Sequence, residues 1–360
     1  MLRIEGEVLL GPHEARPRVW VLDGRVTYAG PSRPGADVQA LRGWVLPGLV
    51  DAHCHVGLDA RGAVDESTTE TQARTDRDAG TLLIRDAGSP ADTRWVDGRE
   101  ELPRIIRAGR HLARPRRYQP GYAHEIEPAE LTAYVRREAR RGDGWVKLVG
   151  DWIDRDRGDL APCWPREALT EAVAAAHEEG ARVTAHCFGE ESLRDFAAAG
   201  ADCIEHACGL DEETNAVFAA QGIAIVPTLV NLANFPAIAE RARAKFPAYG
   251  DHLVDLHARR YRTVGQAHDA GIPVFVGTDA GGSLPHGLVA QEVAQLTRAG
   301  LSPTEAIGAA TWAARSWLRQ PGIEEGSPAD LVVYDADPRA DVRALAHPRH
   351  VILRGRRVGP

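Results

Sequence analysis

Short runs of apolar residues alternate with longer segments of helical periodicity between about residue 45 and about residue 280. The apolar runs are nearly continuous, which is typical of parallel strands that are covered on both faces. Several of the helical segments end at a glycine, a common helix terminator. The pattern predicts eight strands, at residues 45–50, 81–85, 104–108, 145–149, 181–185, 203–205, 223–227 and 274–277.

Eight strands with intervening helices predict an α/β fold, specifically a (β/α)8 TIM barrel over residues 44–320. An open doubly wound sheet is the alternative, but no GxGxxG sequence follows the first strand. The two ends of the chain have a different pattern, with short alternating segments and an Asp23-Gly24 hairpin signal. We therefore predict a small composite β-sandwich built from residues 1–43 and 321–360.

The composition suits a globular enzyme, because 44% of the 360 residues are hydrophobic and 26% are charged. The net charge of −8, with basic residues mixed among acidic ones, argues against a nucleic-acid surface. No apolar run is long enough to span a membrane, and the first residues lack the core of a signal peptide. We expect a cytoplasmic protein that acts on a small molecule and binds neither nucleic acid nor membranes. The sequence leaves a homo-oligomer open.

The pair His53 and His55 follows the first apolar run. Residues two apart on a strand point to the same face, so both imidazoles would project from one strand end, with Cys54 on the other face. Two such nitrogen donors are half of a metal site. On its own the pair is weak evidence for a metal site, since two polar histidines that merely follow a buried strand give the same pattern.

Further metal-ligating side chains stand at or near the ends of later predicted strands. In a TIM barrel the functional groups lie where strands end and loops begin, so these side chains would face one point. A buried lysine is costly without a partner, which makes the lysine in this set informative. The set consists of Lys147, His186, His206 and Asp279. Together with the first pair it predicts a metal centre.

Segments 46–55, 146–148, 184–186, 204–206, 277–281 and 326–333 together resemble the amidohydrolase superfamily. The resemblance is to its imidazolonepropionase-like and prolidase-like branch, which includes Xaa-Pro and Xaa-Arg dipeptidases, and it covers nearly the whole chain. It implies a metal-dependent hydrolase of an amide or other C–N bond, acting on a dipeptide, an N-acyl amino acid or a cyclic amide.

The resemblance also implies a role for each matched side chain. His53 and His55 would bind one metal, and His186 and His206 the second. Lys147 would carry a carbamate derived from carbon dioxide and bridge the two metals. Asp279 would bind the first metal and move the proton of a bridging hydroxide, so Asp279 and His206 are the expected catalytic residues. Two Zn²⁺ ions per chain are expected, although such ligands also accept manganese, iron or cobalt.

Other functions stay open on the sequence alone. A mononuclear site would leave Lys147 to pair with a carboxylate or with the substrate. A deaminase would use an added glutamate such as Glu190, and a lactone or other ester hydrolase would use the same hydroxide. A catalytically inactive binding barrel is disfavoured, because it has no reason to keep all six ligands.

Loops after the strands should bind the substrate. The loop at residues 109–122 carries four arginines and two tyrosines, and arginine suits bidentate pairing with a carboxylate. A solvated basic loop, or pairing with the acidic loop that follows residue 150, would explain the same charges. The candidate substrate contacts are Arg110, Tyr118, Tyr122, Asn231 and His286.

Overall fold

A computed structural model describes residues 1–31 and 38–359. The predicted terminal segments include residues 32–37 and 360, which lie outside the described part. The strands are β1 Leu2–Leu9, β2 Ala15–Leu22, β3 Arg25–Thr27, β4 Gln39–Pro47, β5 Leu49–Cys54, β6 Leu58–Asp59, β7 Gly62–Ala63, β8 Thr81–Asp86, β9 Arg104–Arg107, β10 Leu112–Ala113, β11 His124–Glu125, β12 Trp145–Val149, β13 Asp151–Asp154, β14 Asp159–Pro162, β15 Arg182–Cys187, β16 Cys203–His206, β17 Ala224–Val226, β18 Leu331–Tyr334, β19 His350–Leu353 and β20 Arg356–Arg357.

The α-helices lie mostly between the parallel strands, as the pattern predicts. Gly200 and Gly222 end α4 and α5 in the left-handed conformation that favours glycine. The helices are α1 Glu66–Asp78, α2 Leu131–Arg141, α3 Arg166–Glu178, α4 Glu190–Ala199, α5 Glu212–Gln221, α6 Leu229–Leu232, α7 Phe235–Arg243, α8 Pro247–Asp269, α9 Val289–Arg298, α10 Pro303–Gly308 and α11 Trp312–Trp317.

The parallel strands follow one another in chain order. Strands β5, β8 and β9 form one hydrogen-bonded sheet, and β10, β12, β15, β16 and β17 continue in a second. The segment after α8 links the two ends, because Phe275 N donates to Ile225 O (3.0 Å) and Ala52 N donates to Val276 O (2.8 Å). The result is a TIM-barrel-like α/β fold, in which the carboxyl ends of the strands meet at one face.

The predicted first strand, 45–50, is wrong in its bounds. The apolar run divides at Gly48, so that β4 belongs to the terminal sheet and β5 to the parallel one. Gly48 N donates to Asp330 O (2.8 Å), and a Cβ at this position would lie 2.7 Å from Leu82 Cβ. Gly48 therefore fits where the chain passes between the two sheets.

Both ends of the chain contribute to one seven-stranded sheet, in the order β20-β19-β18-β4-β1-β2-β3. Strand β4 pairs in parallel with β1 and antiparallel with β18, which joins the two ends. Its buried cluster includes Ile4, Val8, Val45 and Val333. The division of the chain at residues 43 and 320 stays a prediction.

None of the helices in the described part of the chain combines the length and the hydropathy needed to cross a membrane.

Candidate metal centre

Three of the predicted ligands converge on one point. His53 is the penultimate residue of β5 and His55 follows that strand, while Asp279 follows the predicted eighth strand, 274–277, where the structure has an isolated bridge between Val274 and Ile225 instead of a strand. The Nε2 atoms of His53 and His55 each lie 3.0 Å from Asp279 Oδ1. Both histidines are buried, and the side chain of Asp279 is 20% exposed. The carboxylate is thus the member of this trio that an incoming molecule can reach.

His186 and His206 lie against this trio. The ring centroid of His206 is 5.3 Å from that of His53 and 4.6 Å from that of His186. Donor atoms of His53, His206 and Asp279 all lie within 4.8 Å of one another. These distances bring donor atoms from three different strand ends within reach of metal ions.

Local backbone strain aims two of these side chains. His206 and Asp279 both adopt positive φ angles, +68° and +57°, which are unfavourable for residues with a side chain. Such strain costs on the order of 1–3 kcal/mol per residue and is concentrated at functional sites. At His206 it turns the side chain toward the centre even though the preceding residue, Glu205, already points into the barrel.

Lys147 lies in β12 and is fully buried. Its Nζ contacts the carboxylate of Glu205, which is also fully buried. Burial lowers the pKa of Lys147 to about 7. Burial therefore disfavours the charged form of this amine.

Fixed partners occupy the outer nitrogens of two of these histidines. His55 Nδ1 donates to Gly88 O (2.7 Å), and His206 Nδ1 lies 2.7 Å from Thr228 Oγ1. These partners orient the rings so that Nε2 faces the centre. Burial lowers the pKa of His53 to about 4, and it holds the pKa values of His186 and His206 well below their usual range.

The donor set fits a divalent metal. Neutral imidazoles and carboxylates are the forms that bind zinc and similar ions. His186 Nε2 is buried and has no hydrogen-bond partner among the described residues, so a ligand there would satisfy it. The six predicted ligands lie together around this centre.

The loop that carries Asp279 is tied to the first strand by Asp51. The Asp51 carboxylate accepts from Thr278 Oγ1 (2.5 Å) and from the backbone N of both Thr278 and His53 (3.1 Å each). A Cβ on Gly277 would lie 2.6 Å from His53 Cβ, so only glycine allows this approach. Asp51 and Gly277 thus fix the distance between His53 and Asp279.

Of the candidate substrate residues, Asn231 and Tyr118 lie at the centre. Asn231 Nδ2 donates to Asp279 Oδ2 (2.6 Å), and the Tyr118 ring is 5.5 Å from His186. Tyr122 lies one layer further out, with its hydroxyl donating to Asp59 O (2.8 Å).

Arg110 and His286 are directed elsewhere. Arg110 donates from Nε to Tyr122 O (2.9 Å) and from Nη2 to Gly121 O (3.0 Å), so its guanidinium holds its own loop together. His286 Nδ1 lies 2.7 Å from the Asp76 carboxylate on α1. Asp76 and Cys54, rather than the metal centre, surround it.

Sequence reasoning gave no role to four residues that lie at this centre. His111, fully buried with both ring nitrogens unpartnered among the described residues, has its ring 5.1 Å from that of His55. Trp152 and Phe188 lie 5.5 and 4.3 Å from His186. Glu205 is the fourth. Strand alternation could have identified Glu205, and His111 follows a predicted strand end.

The family model of the amidohydrolase family matches residues 44–358. The chain belongs to the amidohydrolase family. This membership supports a metal-dependent enzyme that hydrolyses C–N bonds, and the resemblance seen in the sequence is confirmed.

Relatives of this amidohydrolase include both characterized and uncharacterized proteins. An uncharacterized protein of Mycobacterium tuberculosis is 53% identical, over 97% of this chain and 94% of its own length. An imidazolonepropionase of Salinispora arenicola is 28% identical, over 88% of this chain and 85% of its own. The crystal structure of a Xaa-Pro dipeptidase with bound methionine superposes with a TM-score of 0.83 at 23% identity, covering 99% of both chains. That last likeness concerns the fold.

Proposed function

We propose that this amidohydrolase cleaves the amide, or a related C–N bond, of a small molecule at a centre of two divalent metals. The observation that carries the proposal is the convergence of His53 Nε2 and His55 Nε2 on Asp279 Oδ1, each at 3.0 Å, beside two further neutral histidines. His53, His55 and Asp279 would hold one metal, and His186 and His206 the other.

When bound, the metals would supply the hydroxide nucleophile near neutral pH and would polarise the scissile carbonyl. Zinc is the ion we expect, with manganese, iron or cobalt as substitutes that the same ligands accept. The protein's part is to hold the ligands in place and to keep bulk water out, which the burial of the four histidines achieves.

Lys147 would become a bridging ligand by carbamylation. The neutral Nζ would attack the carbon of carbon dioxide: an N–C bond would form, the π pair of one C=O bond would move to its oxygen, and one proton would pass from Nζ to water, leaving a carbamate anion. The lowered pKa of Lys147 supplies the neutral amine that this reaction requires. An ammonium at the same place would repel a cation, whereas the carbamate offers two anionic oxygens.

Asp279 is suited to move the proton of the reaction. Its carboxylate is the partly exposed member of the centre, and Asn231 fixes it through a 2.6 Å hydrogen bond to Oδ2. Asp279 would accept a proton during attack and deliver it to the leaving nitrogen as general acid. His206, oriented by its contact with Thr228, would hold the second metal next to the Asp279 carboxylate.

The walls of the centre are aromatic rather than basic. The rings of Tyr118, Trp152 and Phe188 surround His186, and Arg110 is turned to backbone carbonyls. Arg117, on the same loop as Arg110, pairs with Asp154 at 2.7 Å. We propose a dipeptide, N-acyl amino acid or cyclic amide that places an apolar group against these rings.

A deaminase is the weaker alternative on this geometry. Glu190, the glutamate that such an enzyme would need, contacts Arg259 and lies 3.1 Å from His252 Nε2 at the start of α4. An ester or lactone hydrolase would use the same centre, and assays have to include such substrates.

Metal analysis combined with a substrate panel tests the proposal. Purified protein loaded with zinc or manganese should hold about two metal ions per chain and hydrolyse members of a panel of dipeptides, N-acyl amino acids and cyclic amides. Asp279→Asn should abolish turnover while much of the metal stays bound. Absence of both bound metal and turnover would overturn the proposal, and turnover of lactones alone would reassign the substrate class.

We also propose that residues 44–320 contain the catalytic unit and that 1–43 and 321–360 form a smaller β unit, to whose sheet the end of β4, residues 44–47, also belongs. A small molecule is the partner we expect; a cytoplasmic location and the oligomeric state stay predictions.

A further inference from the structure

Glu205 lies beneath the proposed metal centre and connects four strands. It is fully buried in β16. Its Oε1 accepts from Thr184 Oγ1 (2.8 Å) on β15 and from Arg85 Nη2 (3.2 Å) on β8. Its Oε2 contacts Lys147 Nζ on β12. A carboxylate with so many partners is held in one position.

The position of Arg85 explains why Glu205 cannot move away. Arg85 is fully buried, donates from Nε to Ala52 O (2.7 Å), and lies 4.5 Å over the ring of Trp145. Trp317 flanks the same guanidinium at 5.1 Å. The backbone and both indole rings fix this cation, and it in turn fixes the Glu205 carboxylate.

Glu205 Oε1 also lies 3.3 Å from His53 Nδ1, an atom with no other partner among the described residues. His55 and His206 each have a fixed partner at Nδ1, namely Gly88 O and Thr228 Oγ1. Glu205 occupies the corresponding place for His53. In metal sites a carboxylate behind a ligating histidine fixes its tautomer and makes it a better donor.

We infer that Glu205 is a positioning residue for the metal centre, accepting the Nδ1 proton of His53 and holding Nζ of Lys147 so that both face the metals. The inference rests on the proposed function, since it concerns ligands of the metals proposed there. Glu205 itself touches neither substrate nor metal in this arrangement.

Zinc affinity of the full-length protein tests the inference, measured by competition with a chromophoric chelator. Glu205→Ala removes the acceptor and should weaken zinc binding about 10- to 100-fold. Glu205→Gln keeps an oxygen acceptor but loses the charge, so its zinc affinity should lie between that of Glu205→Ala and that of the wild type. Glu138→Gln removes an equally buried carboxyl from α2, and it controls for the general cost of losing a buried charge.

A measurement on the wild type keeps the test decisive should a variant fail to fold. In zinc-loaded protein with labelled histidines, the side-chain nitrogen spectrum should show His53 protonated at Nδ1 and bound through Nε2. An unprotonated Nδ1 would overturn the inference. If Glu205→Ala bound zinc as tightly as wild type, the inference about Glu205 would be wrong and the proposed function would stand. If the wild type bound no zinc, the proposed function would be wrong as well.

Discussion

Asn231 donates from Nδ2 to Oδ2 of Asp279 across 2.6 Å, while Oδ1 of the same carboxylate faces His53 and His55. The two oxygens of Asp279 therefore have different roles. The Asn231 amide fixes Oδ2, and Oδ1 is free to bind a metal or to accept the proton. Asn231 lies on α6, just after β17, so the bond also ties neighbouring loops together.

Replacing Asn231 by alanine should lower kcat more than it changes KM. A hydrogen bond to a charged group contributes about 1.5–3 kcal/mol, so we expect a fall in kcat of roughly 10- to 100-fold. Steady-state kinetics on the best substrate of the panel measures this. Asn234→Ala serves as control, because Asn234 contacts Asn231 at 3.5 Å and makes no bond to Asp279. Equal losses in the two variants would contradict the assigned role.

Arg110 should stabilise its loop rather than bind a substrate carboxylate. Its two bonds to the carbonyls of Gly121 and Tyr122 predict that Arg110→Ala lowers the free energy of unfolding by about 2 kcal/mol. The ratio of kcat/KM for a substrate with a free carboxylate to that for its neutral amide should not change.

The control for Arg110 is Arg116→Ala on the same loop, where the side chain is exposed. Its effect on stability should stay within about 0.5 kcal/mol. Thermal unfolding and kinetics on the matched substrate pair give both answers. If Arg110→Ala lost activity selectively on the carboxylate substrate, Arg110 would bind the substrate carboxylate, as the sequence of the loop suggests.

The proximity of the six proposed ligand side chains could be expected from the sequence because each stands at or near a strand end, and parallel strands bring those ends together. Lys147 shows the limit of that reasoning. Its inward direction follows from the register in which it pairs with Thr184, but the carboxylate of Glu205 against it does not follow from either segment alone.

Other features depend on contacts that a local pattern does not encode. The apolar run across Gly48 is continuous, so nothing in it marks the passage from one sheet to the other. His206 follows Glu205 directly, and simple alternation would direct only one of them inward. The positive φ of His206 directs both to the centre, and that conformation depends on surrounding packing. Loop residues such as Arg110 find partners that only the folded chain provides.

Removing metal should destabilise the protein. A ligand that binds only the folded state stabilises it by about 2.7 kcal/mol at a concentration 100 times its Kd. Dialysis against a chelator should therefore lower Tm, and added zinc should restore it.

Lys147→Met should reduce bound zinc from two ions to one, as measured by elemental analysis. One ion in the wild type would instead favour the mononuclear site, with Lys147 paired to Glu205 as an ammonium.

His252 should make stability depend on pH between about 6.5 and 9. It lies on α8, with Nε2 3.1 Å from Glu190 Oε2 and Nδ1 3.0 Å from Asp159 Oδ1. The hydrogen bond to Glu190 and the one to Asp159 raise the pKa of His252 to about 9, against the opposing effect of burial. Because the folded pKa exceeds the unfolded value, the stabilisation is fully present below about pH 6.5 and is lost as pH rises through about 9.

Chemical unfolding of wild type and His252→Gln at pH 6, 7.5 and 9 measures this effect. The difference in unfolding free energy between the two proteins should be on the order of 2–3 kcal/mol at pH 6 and should shrink toward pH 9. Glu190→Gln removes the charge of the stronger partner of His252 and should lower the pKa of His252. The stabilisation should then be lost at a lower pH than in the wild type. A difference that stays constant over this range would show that His252 contributes by packing rather than by charge.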